Sequence, residues 1–317
     1  VSKLPTIQQI KKTKEDAKYW LEFERHRQKF DSKISKVCKL QFEKEQTYFK
    51  NKAIELAEQG QQVTIDRLFD NKTYEEWTFI IKKIYEIVGK YFFDRQIKEL
   101  EKQMRKKSIK QDNIFIFDEL NRLRNYVLGN EVMTENINDL YIRIVDNPQT
   151  QEDRNNNFWY TALLTFLFLY LSDKVNYVVD NTREKLKTII QDNIKNGGNI
   201  DSLNAEIDMY YNKIKTQRSN IITATEVAGA SNFGNRTASD ILEIPLKHIW
   251  ISTMDTRVRD IHIKAHGQTL PKEEPFIVGG ERLKYPHDTS LGATAKNIIN
   301  CRCVEKIIID TERLGGR

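Results

Sequence analysis

Residues 6–59 read TIQQIKKTKEDAKYWLEFERHRQKFDSKISKVCKLQFEKEQTYFKNKAIELAEQ, a run without a glycine or a proline. Lys, Glu, Gln and Leu dominate it, and such unbranched side chains lose little rotamer freedom on a helix. The run predicts one long helix, or two in line, closed by Gly60 as a C-cap glycine closes a helix. Trp20, Phe23, Phe30, Ile34 and Val37 recur at spacings of three, four and seven, which predicts a stripe packed along another helix.

Moving outward, residues 73–107 form a second helical region with Trp77, Ile80, Ile81, Ile84, Ile87 and Val88 on one broad face and a basic end. Residues 118–128 and 134–145 read as shorter helices. Asn147, Pro148 and the polar run 149–157 form the clearest loop of the N-terminal half. With 13 glycines and 6 prolines in 317 residues, 39% hydrophobic and 10% aromatic, the chain suits long helices rather than a turn-rich sandwich or barrel. It is long enough for two domains and a sizeable core.

Residues 158–171, FWYTALLTFLFLYL, carry no charge. A membrane span needs roughly 18 to 20 such residues, so a buried central helix is expected, with contact to a membrane or partner as the alternative. Gly197, Gly198 and Asn199 end the helical run that follows, and Ile200 starts another that continues to about Leu242, with Gly229 as a place to bend. After Pro245 the character changes. HIWIST (248–253) alternates and is β-branched, and 276–278, 281–284 and 304–309 also read as strands. The expected fold is predominantly α: a helical arm or bundle over 1–179, then a small unit over 180–317 with helices in 180–243 and α+β structure in 246–310.

The 51 Lys and Arg and 45 Asp and Glu leave a net charge of +6, interleaved along the chain. That reads as a solvated helix surface or as weak affinity for nucleic acid. The densest basic run, Arg105, Lys106, Lys107 and Lys110, is the candidate for DNA phosphate contacts and is equally an ordinary helix end. Three cysteines make no disulfide framework and point to a reducing compartment. The first residues lack the apolar core of a secretion signal, which predicts synthesis in the cytoplasm.

Chemistry-bearing residues gather near the C-terminus. His262 and His266 stand at i and i+4 on a short helix ended by Gly267, so both imidazoles are expected on one face. With Cys301 and Cys303 they supply the two-nitrogen, two-sulfur set that tetrahedral zinc prefers, and a structural zinc would substitute for core in so small a unit. A C-x-C pair is rarer than C-x2-C, and if His266 stands aside the fourth ligand falls to Asp288, His287 or water. The plainer reading has His262 hydrogen-bonded within the motif and the cysteines as small buried residues. Asp255 beside Arg257 and Arg259 reads as a salt-bridged turn, or as a phosphate site, and Glu226 as a buried partner for one of those arginines. Catalytic readings are weaker. A Cys and His dyad lacks a recognisable oxyanion loop, and a nuclease would need more carboxylates than Asp255, Asp260 and Asp288. No enzymatic activity is expected.

The ordered set W-x4-D-x-R-x-R-x2-H-x4-G (Trp250, Asp255, Arg257, Arg259, His262, Gly267), then YP-x-D (Tyr285, Pro286, Asp288) and NCRC (Asn300, Cys301, Arg302, Cys303), resembles the Mu F-like phage head morphogenesis domain. Arg218 and TATEVAGASNFG (223–234), with Glu226, fit the same resemblance, which spans about 180–309. It implies a small α+β Mu F-like domain and a minor head protein, present in a few copies per virion, in the head interior or at the portal vertex. The implied roles are head assembly and passage of DNA into the host. The implied partners are portal or capsid proteins and phage DNA, with membrane contact during ejection left open. The rival account is a DNA-binding or metal-dependent enzyme or effector carried in the virion. His266 and His287 lie outside the residues that carry the resemblance.

Overall fold

The computed structural model describes residues 7–107, 140, 143–144, 148–242, 244–253 and 255–314. The long uninterrupted run becomes a single helix, α1 (Ile7–Glu58), and Gly60 at φ +67° ends it. After a short α2 (Ile65–Leu68), α3 (Asn71–Ile84) passes through a π-helical turn (Tyr85–Gly89) into α4 (Lys90–Lys106). Then come α5 (Gln151–Lys195) and α6 (Ile200–Asp240). The helices expected at 118–128 and 134–145 lie largely outside the described residues, as does Lys110.

Polar run 149–157 is not the loop its composition suggests. The Thr150 amide donates to Asp153 Oδ2 at 3.0 Å and the Asp153 amide to Thr150 Oγ1 at 3.0 Å. This reciprocal capping box starts α5 at Gln151. Asn199 and Ser202 cap α6 in the same way. The boundary expected at 179/180 falls inside α5. Within 158–171, Trp159, Leu163, Leu164, Phe166, Leu167 and Leu171 are buried and Leu169 is exposed. By length and composition alone α5 contains a window apolar enough to cross a membrane, half of it buried.

Tertiary contacts gather Val1–Asp31, Ile84–Phe166 and Ala224–Arg317 into one unit and Ser32–Lys83 with Leu167–Thr223 into another. In the second unit, Cys38, Phe42, Glu45, Phe49, Ala53 and Leu56 form the buried stripe of α1, while Val37, expected on it, is exposed. The Glu45 carboxylate accepts hydrogen bonds from Trp77 Nε1 and from Tyr211 Oη at 3.1 Å. Burial raises its pKa from 4.5 to about 7, against the opposing hydrogen bonds from Trp77 and Tyr211. The folded state therefore binds this proton more tightly than the unfolded one. Its stabilising effect is present below about pH 4.5 and is lost as pH rises to about 7, by roughly 3 kcal/mol. Urea midpoints across that range should fall in the native chain and stay flat in Glu45→Gln; a parallel decline in both would contradict the assignment.

In the first unit the π-helical turn sets α4 against α6. A Cβ at Gly234 would lie 2.0 Å from the Gly89 carbonyl oxygen, and one at Gly89 would lie 2.5 Å from Trp159. Only glycine permits this crossing. Tyr85 stacks on Phe166 at 4.6 Å, and Phe233 packs against Phe166 at 4.5 Å.

The C-terminal part is small and mixed. β1 (Leu246–Ile251) lies between β2 (Thr269–Pro271) and β5 (Val304–Ile309), antiparallel to both, with Leu246 opposite Ile309 and Ile251 opposite Val304. β3 (Phe276–Val278) and β4 (Glu281–Leu283) form a hairpin. Helices α7 (Asp260–Ala265), α8 (Ala295–Ile298) and α9 (Thr311–Leu314) complete it. Trp250, Ala265, Phe276, Val278, Leu283, Ile298, Cys301 and Cys303 make one core. Leu100 and Met104 of α4 join Leu246, Ile307 and Ile309 in a second.

Candidate metal centre

His262 sits in the middle of α7, 1% exposed, its ring edge-to-face with Trp250 at 5.9 Å. Gly267, at φ +81°, turns the chain back so that its amide donates to the Trp250 carbonyl at 2.8 Å. Opposite, Asn300 takes the left-handed conformation at φ +54° and delivers Cys301 and Cys303 into the core just ahead of β5. Because alternate residues of an extended segment share a face, both thiols reach the same imidazole. Cys301 Sγ lies 3.6 Å and Cys303 Sγ 3.5 Å from His262 Nδ1.

The tautomer follows from hydrogen bonding. Asn297 Nδ2 donates to the Val278 carbonyl at 3.1 Å and to Glu281 Oε2 at 2.6 Å, both pure acceptors. Asn297 must then offer Oδ1 to His262 Nε2, 3.0 Å away, so Nε2 carries a proton, and in the neutral ring the Nδ1 lone pair faces the sulfurs. This is the outer-shell arrangement that orients ligating histidines. Burial acts to raise the Cys301 pKa, but the hydrogen bond from the Cys303 thiol leads the effects that outweigh it and hold Cys301 well below its ordinary value. Burial and the neighbouring Cys301 push Cys303 well above. Trp250 packs in the same core as Cys303, and its indole N–H opposes that rise without overcoming it.

The ligand atoms of His262, Cys301 and Cys303 lie within 4.8 Å of one another, and this group can hold a metal ion. His266 does not belong to it. Helix α7 ends at Ala265, but the His266 amide still donates to the His262 carbonyl at 3.1 Å, so the backbone keeps the i, i+4 relation and it is the ring that is engaged elsewhere. His266 Nδ1 instead accepts from the Ser252 amide at 3.2 Å.

Asp255 is held mainly by the arginine of NCRC. Arg302 grips it bidentately at 2.7 and 2.5 Å, Arg257 stands at 3.5 Å, and Arg259 donates to the Ile299 carbonyl at 2.5 Å. The Arg302 hydrogen bonds hold the Asp255 carboxyl well below the usual carboxylate range. Of the expected turn, Arg257 pairs with Asp255 through side chain and amide while Arg259 does not, and Arg302 adds a brace between the 255–259 turn and the cysteine segment. Asp255→Asn should destabilise by about 1 kcal/mol in urea melts, the pair being partly exposed. No change would reduce the brace to a surface contact.

Glu226 is buried, but its hydrogen bond is to Tyr85, while Arg257 and Arg259 go to Asp255 and Ile299. Asp288 shapes the YP-x-D turn, accepting from the Lys284 and Ser290 amides at 2.8 and 2.9 Å, with Tyr285 and Pro286 buried beside it. Of the basic run, Arg105 approaches Glu101 at 3.8 Å, Lys106 ends α4, and Lys107 donates to the Ile309 carbonyl at 3.2 Å.

Several positioning residues escaped the sequence reading. Thr225 Oγ1 accepts from the Asn300 amide at 3.1 Å, Asn232 binds the Cys303 carbonyl at 3.1 Å and accepts from the Glu305 amide at 3.1 Å, and Asn235 donates to the Glu305 carbonyl at 2.9 Å. The TATEVAGASNFG segment is thereby the cradle of NCRC. From α1, Trp20 and Arg27 donate to the Arg302 carbonyl at 2.9 and 3.1 Å. Below the cradle, Arg236 and His248 both reach the fully buried Glu305 Oε1, at 2.9 and 2.8 Å.

Fold and site together define a helix-rich chain closed by a small α+β domain, in which one helix cradles a buried thiol and imidazole cluster. Residues 184–306, in the C-terminal part of the chain, match the family model described as Phage Mu protein F like protein. That family is one of phage head-associated structural proteins. No curated protein and no solved structure matches the chain.

Proposed function

We propose that the chain is a phage head-associated structural protein acting in head morphogenesis and DNA delivery, located in the head interior or at the portal vertex. The observation that carries this reading is the Mu F-like match over 184–306, which takes in the α6 cradle, the Trp250 to Gly267 motif and NCRC together. In this reading the cluster is a structural zinc site. Two thiols and a neutral imidazole suit zinc, and each ligand is at most 1% exposed, which favours a clamp over a reaction centre. Portal and capsid proteins are the proposed partners, with phage DNA contributing through the thin basic excess.

Mass spectrometry of purified heads from a phage encoding the chain tests the proposal. The chain should be present in a few copies per head. Deletion should either lower head yield, which marks morphogenesis, or leave yield normal and abolish infectivity, which marks delivery. Absence from purified heads would overturn the proposal.

A further inference from the structure

The zinc reading leaves three protein ligands, and whether the fourth position is closed separates a structural centre from an open, reactive one. Nearby nitrogen and oxygen atoms are mostly committed. His266 Nδ1 takes the Ser252 amide, both Asp288 oxygens take backbone amides, and His248 is held by Glu305 and the Glu274 carbonyl. His287 differs. It is buried, and Nε2 lies 2.7 Å from the Cys301 carbonyl, which can only accept, so Nε2 carries the proton. In the neutral ring Nδ1 then keeps the lone pair, and that buried atom makes no geometric hydrogen bond. A lone pair sealed from water and left unmatched is costly. The backbone of His287 is left-handed at φ +74°, a conformation that a non-glycine residue holds only where its surroundings impose it.

We infer that His287 is the fourth ligand, closing a two-histidine, two-cysteine zinc centre with His262, Cys301 and Cys303. The inference rests on the zinc reading above. His287 lies outside the 4.8 Å set formed by the other three, so metal loading draws its ring inward. A closed site has no place for a reactive water and makes the centre a staple between α7, the YP-x-D turn and the start of β5.

Zinc(II) affinity of the full chain, by competition with a chromophoric chelator, and the visible spectrum with cobalt(II) test this in native chain, His287→Asn and His266→Asn. Asparagine tolerates the left-handed backbone. Native chain and His266→Asn should bind one ion with an intense four-coordinate cobalt band. His287→Asn should bind more weakly by well over about 100-fold, beyond the roughly 10- to 100-fold cost of losing an outer-shell partner. Added imidazole should restore its cobalt band, a rescue that an unfolded variant would not show. Native affinity and spectrum in His287→Asn, or loss in His266→Asn instead, would overturn the ligand assignment while leaving zinc in place. A native chain that takes up neither ion would overturn the zinc reading itself.

Discussion

Gly234→Ala is expected to destabilise the chain by at least about 3 kcal/mol, the largest effect of any single methyl group here. The added Cβ would lie 2.0 Å from the Gly89 carbonyl oxygen, and the obstacle is backbone, with no flexible side-chain end to move aside. Relief requires α6 and the π-helical turn to separate. Phe233 would then lose its packing against Phe166, and Asn232 and Asn235 would be pulled from the Cys303 and Glu305 carbonyls. Gly60→Ala is the control. Its backbone is left-handed, unlike that of Gly234, but an added Cβ meets nothing within 4 Å, so it should cost only about 1 kcal/mol. Denaturant midpoints decide the matter, and equal small losses in both variants would show that the helices can part cheaply.

The second large effect is expected at the thiols. In Cys301→Ser with Cys303→Ser, the serine hydroxyls cannot hold zinc, and the melting transition of the C-terminal domain should broaden and drop. The loss is on the order of several kcal/mol, less than the 10 or more typical of zinc-finger peptides, because this domain also has a core around Trp250 and Phe276. A strong chelator should lower the native melting temperature and leave the variant unmoved. Identical melts in native chain and variant, with and without chelator, would show the thiols to be packing alone.

How much was legible in the sequence depended on the range of the forces involved. Helix α1 was legible because helix propensity and the absence of Gly and Pro act residue by residue. The strands at 276–278 and 304–309 were legible because alternation and β-branching are local. The π-helical turn carries no composition of its own, and β2 is three residues whose pairing is set by β1. The capping box at Thr150 was hidden inside a polar run that resembles a loop. At the site, the Cys and His pairing was readable from residue type, but the choice between His266 and His287 was not. The proposed choice turns on which imidazole nitrogens are already spent, a tertiary fact. Asn232, Asn235 and Asn297 were invisible for the same reason, since an amide's partners are fixed only when the backbone around it is.

The most direct test of the account is the metal content of the purified full chain, by elemental mass spectrometry alongside the doubly substituted Cys301→Ser, Cys303→Ser variant. The account predicts one zinc per native chain and none in the variant. A native chain that is folded, melts cooperatively and carries no metal would contradict it.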